Sequence, residues 1–240
     1  MTALILLSGT VLLGASVQWL TGMGFALVAV PALILLLGPA QGVALANCAA
    51  GVISVVGLAG GWRLVRPAAM VPLCAAAACT VPAGTWLTRQ LPPPALLLTM
   101  GALVTAAVLL VMRGARLPAL GGRGGALTAG AVGGFMNSAA GVGGPPVSLY
   151  ALNAGWTVRE FVPNAQFYGV VVNAFSVTAN GVPGLSGGQW AAVAVAMAAG
   201  GALGTAVAGR MPERHARRLV LVLALTGGVT AVVKGVWTLS

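Results

Sequence analysis

The sequence predicts an all-α polytopic membrane protein made of two inverted repeats of about five helical segments each. Three observations lead there. Of the 240 residues, 59% are hydrophobic and only 6% are charged, whereas soluble domains carry roughly 25% charged residues. Most of the surface must therefore meet lipid. The apolar runs are continuous and far longer than the roughly ten alternating residues of a membrane β-strand, and only helices or closed barrels satisfy their backbone in hydrocarbon. Finally, the chain resembles itself. "GASVQWLTGMGF" at 14–25 matches "GGFMNSAAGVGG" at 133–144, and "GTWLTRQLP" at 84–92 matches "GTAVAGRMP" at 204–212. The offsets, 119 (14 to 133) and 120 (84 to 204), place one repeat at 1–120 and the other at 121–240. Together they form one integral membrane domain.

Charges and breakers define the elements in order. Met1–Thr2–Ala3 has no basic stretch, so the first segment is expected to stay in the membrane. Residues 1–62 are uncharged and break at Gly22–Gly24, giving pieces over about 3–20 and 24–38, then a helix with Asn47 and Ser54. Runs 67–88 and 90–112 each suit one crossing of about 20 residues. Residues 124–158 are again uncharged and break at Gly141–Gly144, giving pieces 125–140 and 145–157. Run 161–209 holds two crossings, and 219–233 makes the last with Lys234 near its end. "MPERHARR" at 211–218 reads as a solvated loop, its lone His215 incidental. Cys48, Cys74 and Cys79 lack metal-ligand spacing and read as small core residues.

The breaks rest on parity. Without them the twelve basic residues divide evenly between the two faces. With them, one face collects Arg63, Arg66, Arg113, Arg116, Arg123, Arg159, Arg210, Arg214, Arg217 and Arg218, and the other keeps Arg89 and Lys234. That asymmetry is what the excess of Lys and Arg on cytoplasmic loops produces. It predicts a multi-pass protein of the cytoplasmic membrane with both termini outside. It also accounts for the net charge of +10 without invoking nucleic acid. Re-entrant half-helices and full spans give the same parity.

Irregular backbone at membrane depth is tolerated only when buried in protein or lining a cavity. Inverted repeats with discontinuous helices are a transporter design that holds substrate near the midplane. A helix start there presents free N–H groups and a partial positive charge, which suits anions. Pro145, with Pro146, fits a first helical turn, and Gly22, Gly24, Gly141, Gly143 and Gly144 would let a ligand approach the backbone. The competing reading is that these glycines only allow tight helix packing.

"GMGFALVAVPALILL" at 22–36 and "GVGGPPVSLYAL" at 141–152 resemble the paired glycine motifs of the TauE/SafE sulfite exporter family. "GTWLTRQLP" and "GTAVAGRMP" resemble the corresponding helix ends. The resemblance spans nearly the whole chain and implies a transporter of small sulfur-containing or organic anions such as sulfite, sulfoacetate or related sulfonates. It departs from the family form at Phe25 and Ala26, where glycines are common, and at Pro145.

Intramembrane polar residues are costly and tend to be functional. Asn47 and Ser54 share one helix face, and Gln166 and Asn173 repeat them 119 residues on, as a pseudo-symmetric pocket would require. Interhelical hydrogen bonding explains the pattern equally well. Asn137 and Ser138, and Gln18 and Thr21, stand before the two breaks and could instead cap freed backbone. Arg159 is expected to anchor the topology or to pair with Glu160. The only carboxylates are Glu160 and Glu213, both expected in loops, so an ion-coupled cycle would fall to neutral groups such as Tyr150.

The leading expectation is therefore a secondary transporter exporting a small anion by alternating access. The alternatives are an anion channel-like pore and a non-transporting assembly partner. An enzyme would want a metal cluster, a nucleophile with its base, or paired acids, and no catalytic residue, metal or cofactor is expected. The expected partners are a small anionic substrate and the lipid bilayer, with no nucleic acid; a homo-oligomer is left open.

Overall fold

The computed structural model describes residues 1–113, 121–208 and 213–238. Among them lie ten α-helices and one 3-10 turn, with no strand: α1 (Thr2–Thr21), α2 (Phe25–Leu37), α3 (Pro39–Ala59), the turn Trp62–Leu64, α4 (Pro67–Gln90), α5 (Pro93–Met112), α6 (Gly122–Ala140), α7 (Gly144–Asn153), α8 (Val158–Asn180), α9 (Gly187–Ala208) and α10 (Glu213–Trp237). Five of them, α1, α3, α4, α5 and α9, are long and apolar enough to cross a membrane. The chain is a multi-pass membrane protein.

Local chemistry sets the boundaries. Pro39, Pro67 and Pro93 open their helices, where a missing N–H is no loss. Gly22 and Gly141 close α1 and α6 in the left-handed region, at φ 79° and 69°, which glycine enters without a Cβ clash. Their N–H groups donate back to the Gln18 and Asn137 carbonyls, both at 2.8 Å.

Two boundaries differ from expectation. α7 ends at Asn153 rather than 157, because Gly155 turns at φ 68° and Thr157 starts α8 through a capping box with Glu160. Its ten residues span only about 15 Å, half of a bilayer core of about 30 Å. The expected loop at 211–218 is helical from Glu213. Arg116 and Arg210 lie outside the described residues, as do the side chains of Arg214, His215, Arg217 and Arg218.

Helices pair across the two halves of the chain. α1 runs along α9 and α6 along α4, while α3 packs on α8 and α5 on α10. Close backbone approaches fix these pairs. Gly84 of α4 sits against Ser138 and the Phe135 carbonyl of α6, and Gly204 of α9 sits against the Ser16 carbonyl and Trp19 of α1. The two "GT" stretches are thus crossing points, where any side chain would force the helices apart. α3 and α8 run antiparallel, with Gly51 beside Asn173 and Gly57 beside Gln166.

The core has two parts. One gathers Phe25, Leu33, Leu45 and Met100; the other gathers Met70, Leu73, Val147 and Tyr168. Cys74 is buried and Cys48 half-buried, but Cys79 is exposed. The core reading fails for Cys79 because it points off the outer face of α4, where a neutral thiol costs nothing against lipid.

Candidate functional site

The two chain breaks meet. Gly144 at the start of α7 lies 3.2 Å, from where its Cβ would sit, to the Met23 sulfur in the first break. Each break is also seated on a helix of the other half: Gly22 on Val162 of α8, and Gly141 on Val43 and Ala46 of α3. Val43 and Val162 are themselves 119 residues apart.

Between the breaks lies a cavity with about 50 Å³ of space for water-sized atoms. One water needs roughly 10–15 Å³ on this measure, so the space suits a few waters or one small polyatomic ion. α1 supplies Gln18, the first turn of α2 Phe25 to Leu27, α3 Ser54, α6 Asn137, and α8 Tyr168 and Asn173. The polar lining contains amides, hydroxyls and backbone, and no charged side chain.

A buried hydrogen-bond network holds these groups. Gln18 Nε2 donates to Ser54 Oγ at 3.2 Å and to Gln166 Oε1 at 3.5 Å. Asn137 Nδ2 donates to Asn173 Oδ1 at 3.0 Å and to Asn47 Oδ1 at 3.3 Å. Shifting the first set by 119 residues gives the second, with Gln18, Ser54 and Gln166 answering to Asn137, Asn173 and Asn47. Asn137 Nδ2 also reaches Ser176 Oγ at 2.9 Å, so two protons serve three acceptors.

The breaks differ chemically. Asn137 Oδ1 accepts from the Gly143 N–H at 3.1 Å, which is the capping role weighed for this residue. Pro145 and Pro146 bring no N–H, so Gly144 carries the one remaining donor of that turn. At the first break the residues Phe25, Ala26 and Leu27 all face the cavity, and no side chain caps their turn. The first break is therefore the better anion-facing helix start.

Of the expected residues, Gly24, Ser54, Asn137, Gly141, Gly143, Gly144 and Asn173 line the cavity. Asn47 and Gln166 join through the network. Gly22, Pro145 and Ser138 do not reach it; the Ser138 hydroxyl bonds back to the Gly134 and Phe135 carbonyls at 3.1 and 3.2 Å, and Thr21 bonds to the Val17 carbonyl at 2.9 Å. Tyr150 packs edge-on against Trp156, ring centres 5.6 Å apart, and takes no part in the cavity. Tyr168 and Ser176 were not expected. Their signal was faint, since a lone aromatic or serine on an apolar helix reads as core.

A charged cluster lies at the start of α8. Glu160 pairs with Arg66 and not with Arg159, because neighbouring residues on a helix point apart. The Arg66 guanidinium also lies over Trp156 at 5.8 Å, and the Arg66 N–H donates to Asn164 Oδ1 at 2.8 Å. The backbone N–H of Thr157, and after it the Thr157 hydroxyl and Arg66, hold the partly exposed Glu160 carboxyl below its ordinary range. No group of three or more His, Cys, Asp or Glu side chains that could hold a metal occurs among the described residues.

A family model described as sulfite exporter TauE/SafE matches residues 6–231. No curated protein and no solved structure matches the chain. With nearly the whole sequence covered, the chain belongs to the TauE/SafE family of membrane transporters.

Proposed function

We propose that this TauE/SafE protein is a secondary transporter that moves a small sulfur oxyanion, sulfite or a compact sulfonate, out across the cytoplasmic membrane. The observation that carries the reading is the meeting of two chain breaks at a cavity without charged side chains, beside the uncapped first turn of α2. Donors without counter-charge suit an anion that must bind and then leave. The volume argues for a small one.

Alternating access follows from the pairing. Residues 1–120 and 121–240 act as two repeats of opposite orientation, with both termini outside. The antiparallel α3 and α8, the exchanged seats of the two breaks and the hydrogen bonds recurring after 119 residues all support this. Swapping the conformations of the two halves would then expose the cavity to the other side. The chemistry is transport and not catalysis.

The test is anion-evoked current across proteoliposomes, with sulfite, sulfoacetate, thiosulfate, sulfate and chloride in turn. A saturable response to one sulfur anion is expected, lost in Gly143→Leu and Asn137→Leu. Silence in both this assay and labelled-substrate counterflow would overturn the transporter reading.

A further inference from the structure

We propose that the starts of α3 and α8 are held by unequal latches, ionic at Arg66 and Glu160 and neutral at Gln41 and Gly184, so that the cavity opens more readily on the neutral side. The inference rests on the cavity being a site reached from both faces. Because α3 and α8 run antiparallel, their starts lie at opposite faces. Each start also carries the seat of a break. Val162, under Gly22, is two residues past Glu160, and Val43, under Gly141, is two past Gln41. Whatever holds the first turn of either helix therefore holds a break, and both breaks border the cavity.

The two holds differ in kind. At α8, Arg66 from the other half pairs with Glu160, lies over Trp156 and donates its backbone N–H to Asn164 Oδ1 at 2.8 Å. At α3, the Gly184 N–H from the other half donates to Gln41 Oε1 at 2.7 Å. The positions correspond: Gln41 stands 119 residues before Glu160, and Leu185, next to Gly184, stands 119 after Arg66. The same shift turns Trp156 into Leu37 and Asn164 into Leu45. The side chains that hold Arg66 therefore have no counterpart at α3 beyond the uncharged Gln41. A charged hydrogen bond is roughly twice as strong as a neutral one, and a guanidinium over an indole adds to it. Parting the α8 start is the costlier movement. With the arginine-rich face inward, as proposed, the empty carrier opens more often outward, and loading from inside requires the ion pair to part.

In the full-length protein lacking Cys48, Cys74 and Cys79, Ala26→Cys places a thiol in the cavity lining. An impermeant methanethiosulfonate reagent, added to intact cells or to inside-out vesicles, reads access from each face. The parent should label faster from outside. Glu160→Gln removes the charge, while glutamine still serves a capping box. It should raise labelling from inside about fivefold, the upper range for a part-exposed ion pair, and leave the outside rate no higher. Arg66→Gln should do the same, and Gln41→Ala should raise only the outside rate. Equal labelling of the parent from both faces, or an unchanged inside rate in both Glu160→Gln and Arg66→Gln, would overturn the inference. So would equal rises at the two faces, which mark general loosening, or opposite shifts with cationic and anionic reagents, which mark a field effect. Labelled-sulfite counterflow separates the two levels. Counterflow with unchanged access leaves the transporter and removes the latch; the expected access pattern without counterflow leaves the latch and removes sulfite transport.

Discussion

Asn137 shows how much one side chain can hold. Its amide ties α6 to α3 and α8, while its oxygen caps the Gly143 N–H. A ligand drawn to that N–H must displace an oxygen already there, so binding and loosening of the network are linked. Beside it, Gly141 turns at φ 69°, and an added Cβ would sit 3.0 Å from Val30. Gly141→Ala should lower stability by about 1–2 kcal/mol, the cost of a left-handed L-residue, read as a lower midpoint of thermal unfolding. Gly187→Ala, where a Cβ meets nothing within 4 Å, should leave it unchanged. At this scale spacing was informative where polar types recur, as with Asn47, Ser54, Gln166 and Asn173. It was silent on Tyr168, whose hydroxyl packs against a glycine one helix away, and on Ser176.

Among the helices, glycine decides which neighbours touch. Gly84 meets α6 backbone and Gly204 meets α1 backbone with no room for a side chain. Next to Gly84, the Thr85 hydroxyl donates to Asn180 Oδ1 at 2.7 Å, and Asn180 Nδ2 donates to the Ser138 carbonyl at 2.9 Å. Gly84→Leu should therefore part α4 from α6 and strain α8 as well, destabilising by at least the roughly 1–3 kcal/mol typical of overpacking. Reduced recovery of monodisperse protein in detergent would report it; normal recovery and melting would contradict the crossing. The breaks at Gly22–Gly24 and Gly141–Gly144 were legible because glycine and proline interrupt uncharged runs. The end of α7 was not read, although Thr157 and Glu160 stand at capping-box spacing, because the apolar run continues past it. The helical start at Glu213 was hidden by the charged residues that follow, which resemble a loop in composition alone.

At the scale of the whole molecule, the proposed orientation has a direct test. In a chain lacking Cys48, Cys74 and Cys79, single cysteines placed at Thr2 and Thr238 should both react with an impermeant maleimide added outside intact cells. Labelling of either only after lysis would defeat the parity argument. Two short matches at nearly one offset contain glycines that lie at helix crossings, Gly84 against α6 and Gly204 against α1. Which helices exchange partners was not legible, since sequence gives spacing and not proximity. The neutral lining of the cavity carries one more consequence. A carrier with no charge of its own at its centre returns empty without moving charge through the membrane field there. The voltage then acts only on the loaded form, at about 2.3 kcal/mol per charge per 100 mV. In the proposed export cycle, an interior held negative would thus speed the outward, anion-bearing stroke and leave the resetting stroke untouched, making the cell's own polarisation the engine of clearance.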